Sequence, residues 1–237
     1  RVAYTVRKPL GVVGAITPFN FPFNLVAHKV GPAIAAGNTV VLKPAGQTPL
    51  SALALAELFE EAGLPKGALN VVPGRGSVVG EAIVKDPRVK AVTFTGSPEV
   101  GIALKSKAGL KRVTLELGSN SALIVDDTVE LSDSLIQRCV LGAYSFSGQI
   151  CISIQRMYVH ESLFDEFVSR FAAETGKLVI GDPESEETDF SALIHATEAS
   201  RMEEWVAGAF RRGAKLVAGG RRLSEAVYAP TVLTGVP

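Results

Sequence analysis

Short apolar runs alternate with helix-forming segments along the first half of this chain, and this rhythm constrains the fold most. Between the first runs, residues 50–62 combine good helix formers with apolar spacings of three and four, and Gly63 ends the segment. Continuous apolar strands that alternate with helices favour a parallel sheet covered on both faces, as in α/β proteins. The predicted strands lie at 11–16, 39–44, 68–72 and 89–95.

The pattern changes near residues 118–121, which predicts a boundary between two domains, 1–119 and 120–237. Strands are predicted at 122–125 and 157–159, with an acidic loop at 181–187. Helices are predicted from about 128 through 142, over 163–178 and over 198–213. The second half therefore also belongs to the α/β class.

Composition excludes several classes of function. Lys and Arg total 24 and Asp and Glu total 24, so no basic surface for nucleic acid or a polybasic membrane patch is expected. No apolar run has the length of a membrane helix, and no signal peptide is evident. Three dispersed histidines predict no metal site, and two cysteines favour a reducing, cytoplasmic setting.

The two cysteines have different surroundings. Cys139 lies in an apolar stretch that is typical of a buried structural thiol. Cys151 follows Gly148 and Gln149 among small, polar and β-branched residues, which suits a nucleophile with room for a substrate. A second structural thiol is the alternative for Cys151.

The segment Thr95-Gly96-Ser97-Pro98-Glu99 follows a predicted strand and should open a helix. Serine is a favoured N-cap, and proline and glutamate suit the first turn. Free amides at a helix N-terminus bind phosphate, and Gly96 permits close approach. An ordinary capped helix without a ligand is the alternative.

Three further polar residues lie at the ends of predicted strands or in a turn. Lys43 stands at the carboxyl end of its strand, where ligands of open α/β sheets bind, although it could simply be solvated. Asn20 lies in a proline-rich loop and could donate to an oxyanion or hydrogen-bond its own turn. Glu116 has leucines on both sides, which suits a general base with a raised pKa, or it could face solvent.

In their order along the chain, these motifs resemble the aldehyde dehydrogenase superfamily. The resemblance spans essentially the whole chain and rests on five segments: Thr17-Pro18-Phe19-Asn20-Phe21-Pro22, Val41-Leu42-Lys43-Pro44-Ala45, Phe94-Thr95-Gly96-Ser97, Leu115-Glu116-Leu117-Gly118 and Gly148-Gln149-Ile150-Cys151. It implies a Rossmann-like cofactor domain over 1–119 and part of an α/β catalytic domain over 120–237.

The resemblance also implies the site residues and the reaction. Cys151 would attack the aldehyde and form a thiohemiacetal and then a thioester, Asn20 would stabilise the oxyanion, and Glu116 would activate the hydrolytic water. NAD or NADP would be the cofactor, and the complete enzyme would be a homodimer or homotetramer. The implied cofactor contacts are Ile16, Thr17, Pro18, Phe19, Lys43, Gly46, Gly76, Phe94, Gly96, Ser97, Val100, Leu117 and Gly118.

The chain departs from the family pattern in three ways. Gly118 is followed by Ser119 where a second glycine is usual, and Gly46 replaces a glutamate that commonly repels the 2′-phosphate of NADP. NADP is therefore a candidate cofactor, with Lys43 as the partner of its phosphate. Members of the family are roughly twice as long, so we expect a partial chain that has little activity alone.

Two other functions and the choice of substrate stay open at this stage. A CoA-acylating relative is one alternative, although acylating members typically lack the base corresponding to Glu116. A non-catalytic protein that kept the fold is the other. Phe23, Phe146, Ile150 and Ile152 suggest an apolar entrance for the aldehyde, whereas Asn24 and His28 would suit a polar one.

Overall fold

The computed structural model describes residues 1–236 and divides into two compact units. The first unit spans Arg1–Gly118, and the second begins at Ser119. The division separates Glu116 from Cys151. The assignment of the units as cofactor and catalytic domains stays a prediction.

The first unit is built on a sheet of five strands, which are β1 (Val12–Ile16), β2 (Thr39–Lys43), β3 (Leu69–Val71), β4 (Val89–Thr95) and β5 (Arg112–Glu116). Their order in the sheet is β3-β2-β1-β4-β5. Every pairing in this sheet is parallel, which confirms the predicted α/β class with a Rossmann-like sheet.

Helices cover both faces of this sheet. They are α1 (Asn24–Ala35), α2 (Leu50–Glu61), α3 (Glu81–Lys85), which follows a π-helical turn at Gly76–Gly80, and α4 (Pro98–Lys107). Ala15 of β1 belongs to a core cluster with residues of α1 and α2. The next residue, Ile16, belongs to a cluster with residues of α3 and α4. Successive strand side chains point to opposite faces, so a strand buried on both sides must be apolar throughout.

The second unit has two small sheets and three α-helices among its described residues. Its elements are β6 (Ala122–Val125), α5 (Asp133–Tyr144), β7 (Arg156–Val159), α6 (Phe164–Thr175), α7 (Ala196–Arg211), β8 (Lys215–Ala218) and β9 (Val232–Thr234). Strands β6 and β7 pair in parallel, whereas β8 and β9 pair antiparallel. Cys139 of α5 is 2% exposed in the core, as predicted, together with Phe167 and Phe171 of α6.

Some boundaries differ from the predicted ones. The helix predicted over 163–178 ends at Thr175, and the one predicted over 198–213 spans Ala196–Arg211 because the ring of His195 accepts a hydrogen bond from the Thr197 N–H. Strands β8 and β9 were not predicted, since they are short and lack a clear alternation. Among residues 1–236, no helix is long and apolar enough to cross a membrane, and no cluster of metal-ligating side chains occurs.

Candidate active site

The carboxyl ends of four neighbouring strands bring the predicted residues of the first unit to one edge of the sheet. Ile16 of β1 lies opposite Lys43 of β2 and Phe94 of β4, and Thr95 lies opposite Glu116 of β5. The segments that leave these strands are also joined through the backbone. The Thr17 N–H donates to the Lys43 carbonyl at 3.2 Å, and the Gly96 N–H donates to the Glu116 carbonyl at 3.1 Å. Parallel pairing thus assembles motifs that lie far apart in sequence.

Thr17 and Lys43 place polar groups in a buried part of this edge. Thr17 is 4% exposed, and its Oγ1 has no hydrogen-bond partner among residues 1–236. Lys43 is 6% exposed, and its Nζ donates to the Pro44 carbonyl at 2.8 Å. Burial lowers the pKa of the Lys43 amine. A buried hydroxyl without a partner is uncommon and is a reason to consider a bound ligand.

The turn after β4 has the geometry predicted for a helix N-terminus. Ser97 is the N-cap of α4, where its Oγ accepts a hydrogen bond from the Val100 N–H at 3.4 Å, and Pro98 occupies the first turn. A Cβ at Gly96 would lie 2.5 Å from Cζ of Phe94, so only glycine fits beside that ring. The result is a short turn without side-chain bulk at the start of a helix dipole.

The loop after β1 presents Pro18, Phe19 and Asn20. The Thr48 hydroxyl donates to the Phe19 carbonyl at 3.3 Å and ties this loop to the start of α2. Asn20 is half-buried, and its side-chain Oδ1 is buried. The loop then leads directly into α1, since the Leu25 N–H donates to the Phe21 carbonyl at 3.0 Å.

The remaining predicted cofactor contacts of the first unit occupy different environments. Gly46 and Gly76 are exposed, and a Cβ built on either would meet no heavy atom within 4 Å. Leu117 instead packs on α4, because a Cβ at Gly101 would lie 2.6 Å from its Cδ2. Gly118 follows Leu117 and is exposed. Leu117 therefore has a packing role whether or not it also touches a ligand.

Glu116 ends the edge strand β5 and is exposed. The nonpolar setting that its leucine neighbours suggested is not found. Leu115 and Leu117 point to the opposite face, where they pack against the core cluster of α3 and α4. Alternation along a strand explains this result, because residues flanking a strand position do not share its side.

A functional candidate that sequence reasoning missed is Lys29 of α1. Lys29 is 8% exposed, and its Nζ donates to Oγ1 of Thr93 at 3.1 Å. Burial lowers the pKa of Lys29, and the nearby negative charge of Glu116 opposes this shift. The sequence contained a signal, since Lys29 lies between Val26 and Val30 in the buried stripe of the helix.

In the second unit, Cys151 is exposed and lines an open groove of about 220 Å³. The opening predicted beside this thiol is thus present. The groove is lined by Ser119, Ser121, Ala122, Leu123, Cys151, Ile152, Ser153 and Ile154. The hydroxyls of Ser119 and Ser121 lie 2.8 Å apart and make one part of the groove polar. Leu123 and the two isoleucines make another part of the groove apolar.

The backbone before Cys151 has an unusual conformation. Phe146 (φ 53°), Ser147 (φ 57°) and Gly148 (φ 73°) are three consecutive residues in the left-handed region. Beyond the thiol, Ser153 is 7% exposed and donates from Oγ to the Ala143 carbonyl at 2.9 Å, which returns the chain to the end of α5. Cys151 therefore sits on a tightly turned loop between α5 and β7.

These features define a parallel sheet edge with buried polar groups in the first unit and an exposed thiol on a constrained loop in the second. The model of the aldehyde dehydrogenase family matches residues 1–237, and the chain belongs to this family. The class of protein is therefore established on the sequence as well as on the fold.

Two relatives show how similar the chain is to individual aldehyde dehydrogenases. The chain is 53% identical to a 3-sulfolactaldehyde dehydrogenase of Priestia aryabhattai over 100% of its own length and 49% of the relative's. Its structure matches succinate-semialdehyde dehydrogenase from Burkholderia pseudomallei with a TM-score of 0.94 at 42% identity, covering 98% of this chain and 49% of that one.

A third relative was solved with a cofactor. Glyceraldehyde-3-phosphate dehydrogenase from Methanocaldococcus jannaschii, complexed with NADP, matches with a TM-score of 0.92 at 40% identity. That match covers 96% of this chain and 50% of the other. The chain thus spans about half the length of the curated relatives it matches.

Proposed function

We propose that the protein carrying this chain oxidises an aldehyde to a carboxylic acid with NAD⁺ or NADP⁺, using Cys151 as the nucleophile. The observation that carries this proposal is the exposed Cys151 thiol in its groove, within a chain that belongs to the aldehyde dehydrogenase family along its whole length. The buried Cys139 offers no comparable access to a substrate.

The sheet edge of the first unit fits a dinucleotide. The buried Thr17 Oγ1 lacks a partner among the described residues, and the positive end of the α4 helix dipole lies beside Gly96. Lys43 supplies a cation at the end of β2, and the open space at Gly46 leaves room for a phosphorylated ribose. We expect these residues to hold the cofactor, together with Ile16, Pro18, Phe19, Gly76, Phe94, Ser97, Val100, Leu117 and Gly118.

The first chemical step is nucleophilic attack by the Cys151 thiolate. The Cys151 thiolate adds to the carbonyl carbon and forms a thiohemiacetal whose oxygen carries the negative charge. The Asn20 amide and the Cys151 backbone N–H donate hydrogen bonds to this oxyanion, which lowers the barrier because the charge develops in the transition state. NAD(P)⁺, when bound, supplies the acceptor for the hydride that leaves the former aldehyde carbon.

Release of the acid needs water and a base. Once the hydride has left, the acyl group remains on Cys151 as a thioester. The Glu116 carboxylate takes a proton from water, the hydroxide attacks the thioester carbon, and the thiolate departs. The overall reaction converts the aldehyde, water and NAD(P)⁺ into the carboxylic acid, NAD(P)H and a proton. The exposed position of Glu116 leaves it accessible to water.

A steady-state assay of the complete protein tests this proposal. Short aldehydes, including some that also carry an anionic group, are supplied with NAD⁺ or NADP⁺, and the acid formed is identified. Formation of free acid and reduced cofactor supports the proposal. An acyl-CoA product that forms only with added CoA would indicate the acylating reaction instead. Absence of turnover, together with failure of an aldehyde-mimicking electrophile to label Cys151, would indicate a non-catalytic role.

Assembly and location form a separate part of the proposal. We expect a homodimer or homotetramer of the complete protein in the cytoplasm, with no nucleic-acid or membrane partner. Both cysteines are free thiols, as suits a reducing compartment. Light scattering of the purified protein measures the assembly, and fractionation of the source cells measures the location.

A further inference from the structure

The loop that carries the nucleophile is held by two side chains for which the proposed chemistry has no role. The left-handed region is uncommon for residues other than glycine, yet both Phe146 and Ser147 occupy it. Such a conformation persists only where the surroundings determine it, and it is often found beside reacting groups. The structure shows what holds this turn.

Ser147 makes a reciprocal pair of hydrogen bonds with the backbone of Ser191. Its Oγ donates to the Ser191 carbonyl at 2.9 Å and accepts from the Ser191 N–H, also at 2.9 Å. A serine hydroxyl has the donor and the acceptor capacity that this arrangement needs. One side chain therefore fixes the turn at its left-handed residue to a segment that lies 44 positions further along.

Gln149 makes a second bond to the same segment. Its Oε1 accepts from the Ile194 N–H at 2.9 Å. We call residues 191–194 the anchor segment. Together the two side chains bind both ends of the anchor segment, and Cys151 lies two residues beyond Gln149.

The anchor segment is itself well fixed. Phe190, just before it, is 5% exposed and packs edge-on against Tyr144 with ring centroids 6.4 Å apart. Within it, the Leu193 N–H donates to the Ala226 carbonyl at 2.8 Å. By contrast, Cys151 and Ile152 are exposed, so burial contributes little to fixing the loop around the thiol.

We infer that Ser147 and Gln149 are positioning residues that hold the strained turn before Cys151 against the anchor segment, so that the thiol and its backbone N–H keep the geometry for attack. This inference rests on the proposed function. Misplacement of a reacting group by about 1 Å can reduce a rate by roughly 100-fold, so hydrogen bonds that act only through the backbone can matter for catalysis.

Substitutions in the complete protein separate this positioning role from an effect on general stability. Ser147→Ala removes both bonds to Ser191, and we expect kcat to fall roughly 10- to 100-fold with a much smaller change in the KM for aldehyde. Alkylation of Cys151 by iodoacetamide, without cofactor, should slow roughly tenfold, because the polar groups around the thiolate are no longer held in place. Ser147→Asn should recover part of both rates, since asparagine tolerates the left-handed region and retains hydrogen-bonding groups.

Ser191→Ala is the matched control. It removes the Ser191 Oγ bond to the Gly181 carbonyl but keeps the backbone groups that Ser147 binds, so both rates should stay near the wild-type values. If Ser147→Ala fails to fold, as judged by circular dichroism, Gln149→Ala provides the same test through the loss of the Ile194 bond.

Wild-type kcat and alkylation rates in both Ser147→Ala and Gln149→Ala would overturn the inference. Equal losses in Ser191→Ala would also overturn it, because they would indicate general destabilisation. If the wild-type protein oxidised no aldehyde, the proposed function would fail, while the alkylation series would still decide the positioning role.

Discussion

Lys29 in α1 donates a hydrogen bond to Thr93 in β4, with 3.1 Å between Nζ and Oγ1, and so places an amine against the buried face of the sheet. Burial lowers the pKa of this amine below its ordinary value of 10.5, while the charge of Glu116 acts in the opposite direction. The folded state therefore binds the Lys29 proton less tightly than the unfolded state does.

The pH dependence of stability follows from this relationship. Below the lowered pKa, the amine is charged in both states and its burial destabilises the fold in full. Between that pKa and 10.5, the folded protein releases the proton and the unfolded chain keeps it, so the free energy of unfolding rises with pH. We expect Lys29→Met to flatten this rise on the alkaline side, in the range just below pH 10.5, in denaturant titrations.

Lys90→Met is the control for this experiment, since Lys90 belongs to the same strand as Thr93 but is exposed. It should leave the pH profile unchanged. Identical profiles for the wild type and Lys29→Met would show that the buried amine does not govern this dependence.

Substitution of the two cysteines should separate chemistry from packing. Cys151→Ala removes the nucleophile, and we expect turnover to fall by at least about a thousandfold with the fold intact. Cys139→Ala removes a core thiol whose pKa is raised by burial, so we expect a loss of about 1 kcal/mol in stability and near-normal turnover. Initial rates and thermal melts measure the two effects, and a reversal of the pattern would assign the reaction to Cys139.

Glu116→Gln should slow release of the acid without preventing acylation. We expect steady-state turnover to fall roughly 10²- to 10⁴-fold, because the amide cannot take the proton of water. Rapid mixing should still show reduced cofactor formed in an amount equal to the active sites. Glu57→Gln, on the exposed side of α2, is the matched control and should behave as wild type. Loss of the rapid phase in Glu116→Gln would contradict this prediction, because it would show that Glu116 is required for hydride transfer or for a step before it.

Gly46→Glu should shift the cofactor preference towards NAD⁺. A Cβ at Gly46 meets nothing within 4 Å, so a side chain can begin there without a clash, and the glutamate carboxylate would repel a 2′-phosphate. We expect kcat/KM with NADP⁺ to fall at least about tenfold relative to NAD⁺, which kinetics with both cofactors measure. Gly46→Ala adds bulk without charge and should leave the ratio unchanged. A strong preference of the wild type for NAD⁺ would contradict the role given to Gly46.

Much of the first unit could be predicted from the sequence. Apolar β-branched runs separated by helix-forming segments require a parallel sheet with two covered faces, because a strand that is apolar at every position must be buried on both sides. The capped helix start at Ser97 could also be predicted, since Ser-Pro-Glu specifies a helix N-terminus through local hydrogen bonds and charge.

The environment of individual side chains was predicted less well. The leucines beside Glu116 along the chain suggested a nonpolar setting, with exposure to solvent as the alternative. Glu116 is exposed, because the neighbours of a strand residue in space are those across the strand and on the same face. Strands β8 and β9 were missed because they lack a clear alternation of apolar and polar residues.

By itself, the sequence determined the class of fold, the family resemblance and the thiol to suspect, because motifs and hydrophobic periodicity are local properties of the chain. Only the tertiary structure decided that Lys29 is buried against Thr93 and that Ser147 and Gln149 bind a segment more than forty residues away. Burial and long-range hydrogen bonds depend on which elements pack together. Local sequence patterns do not contain that information.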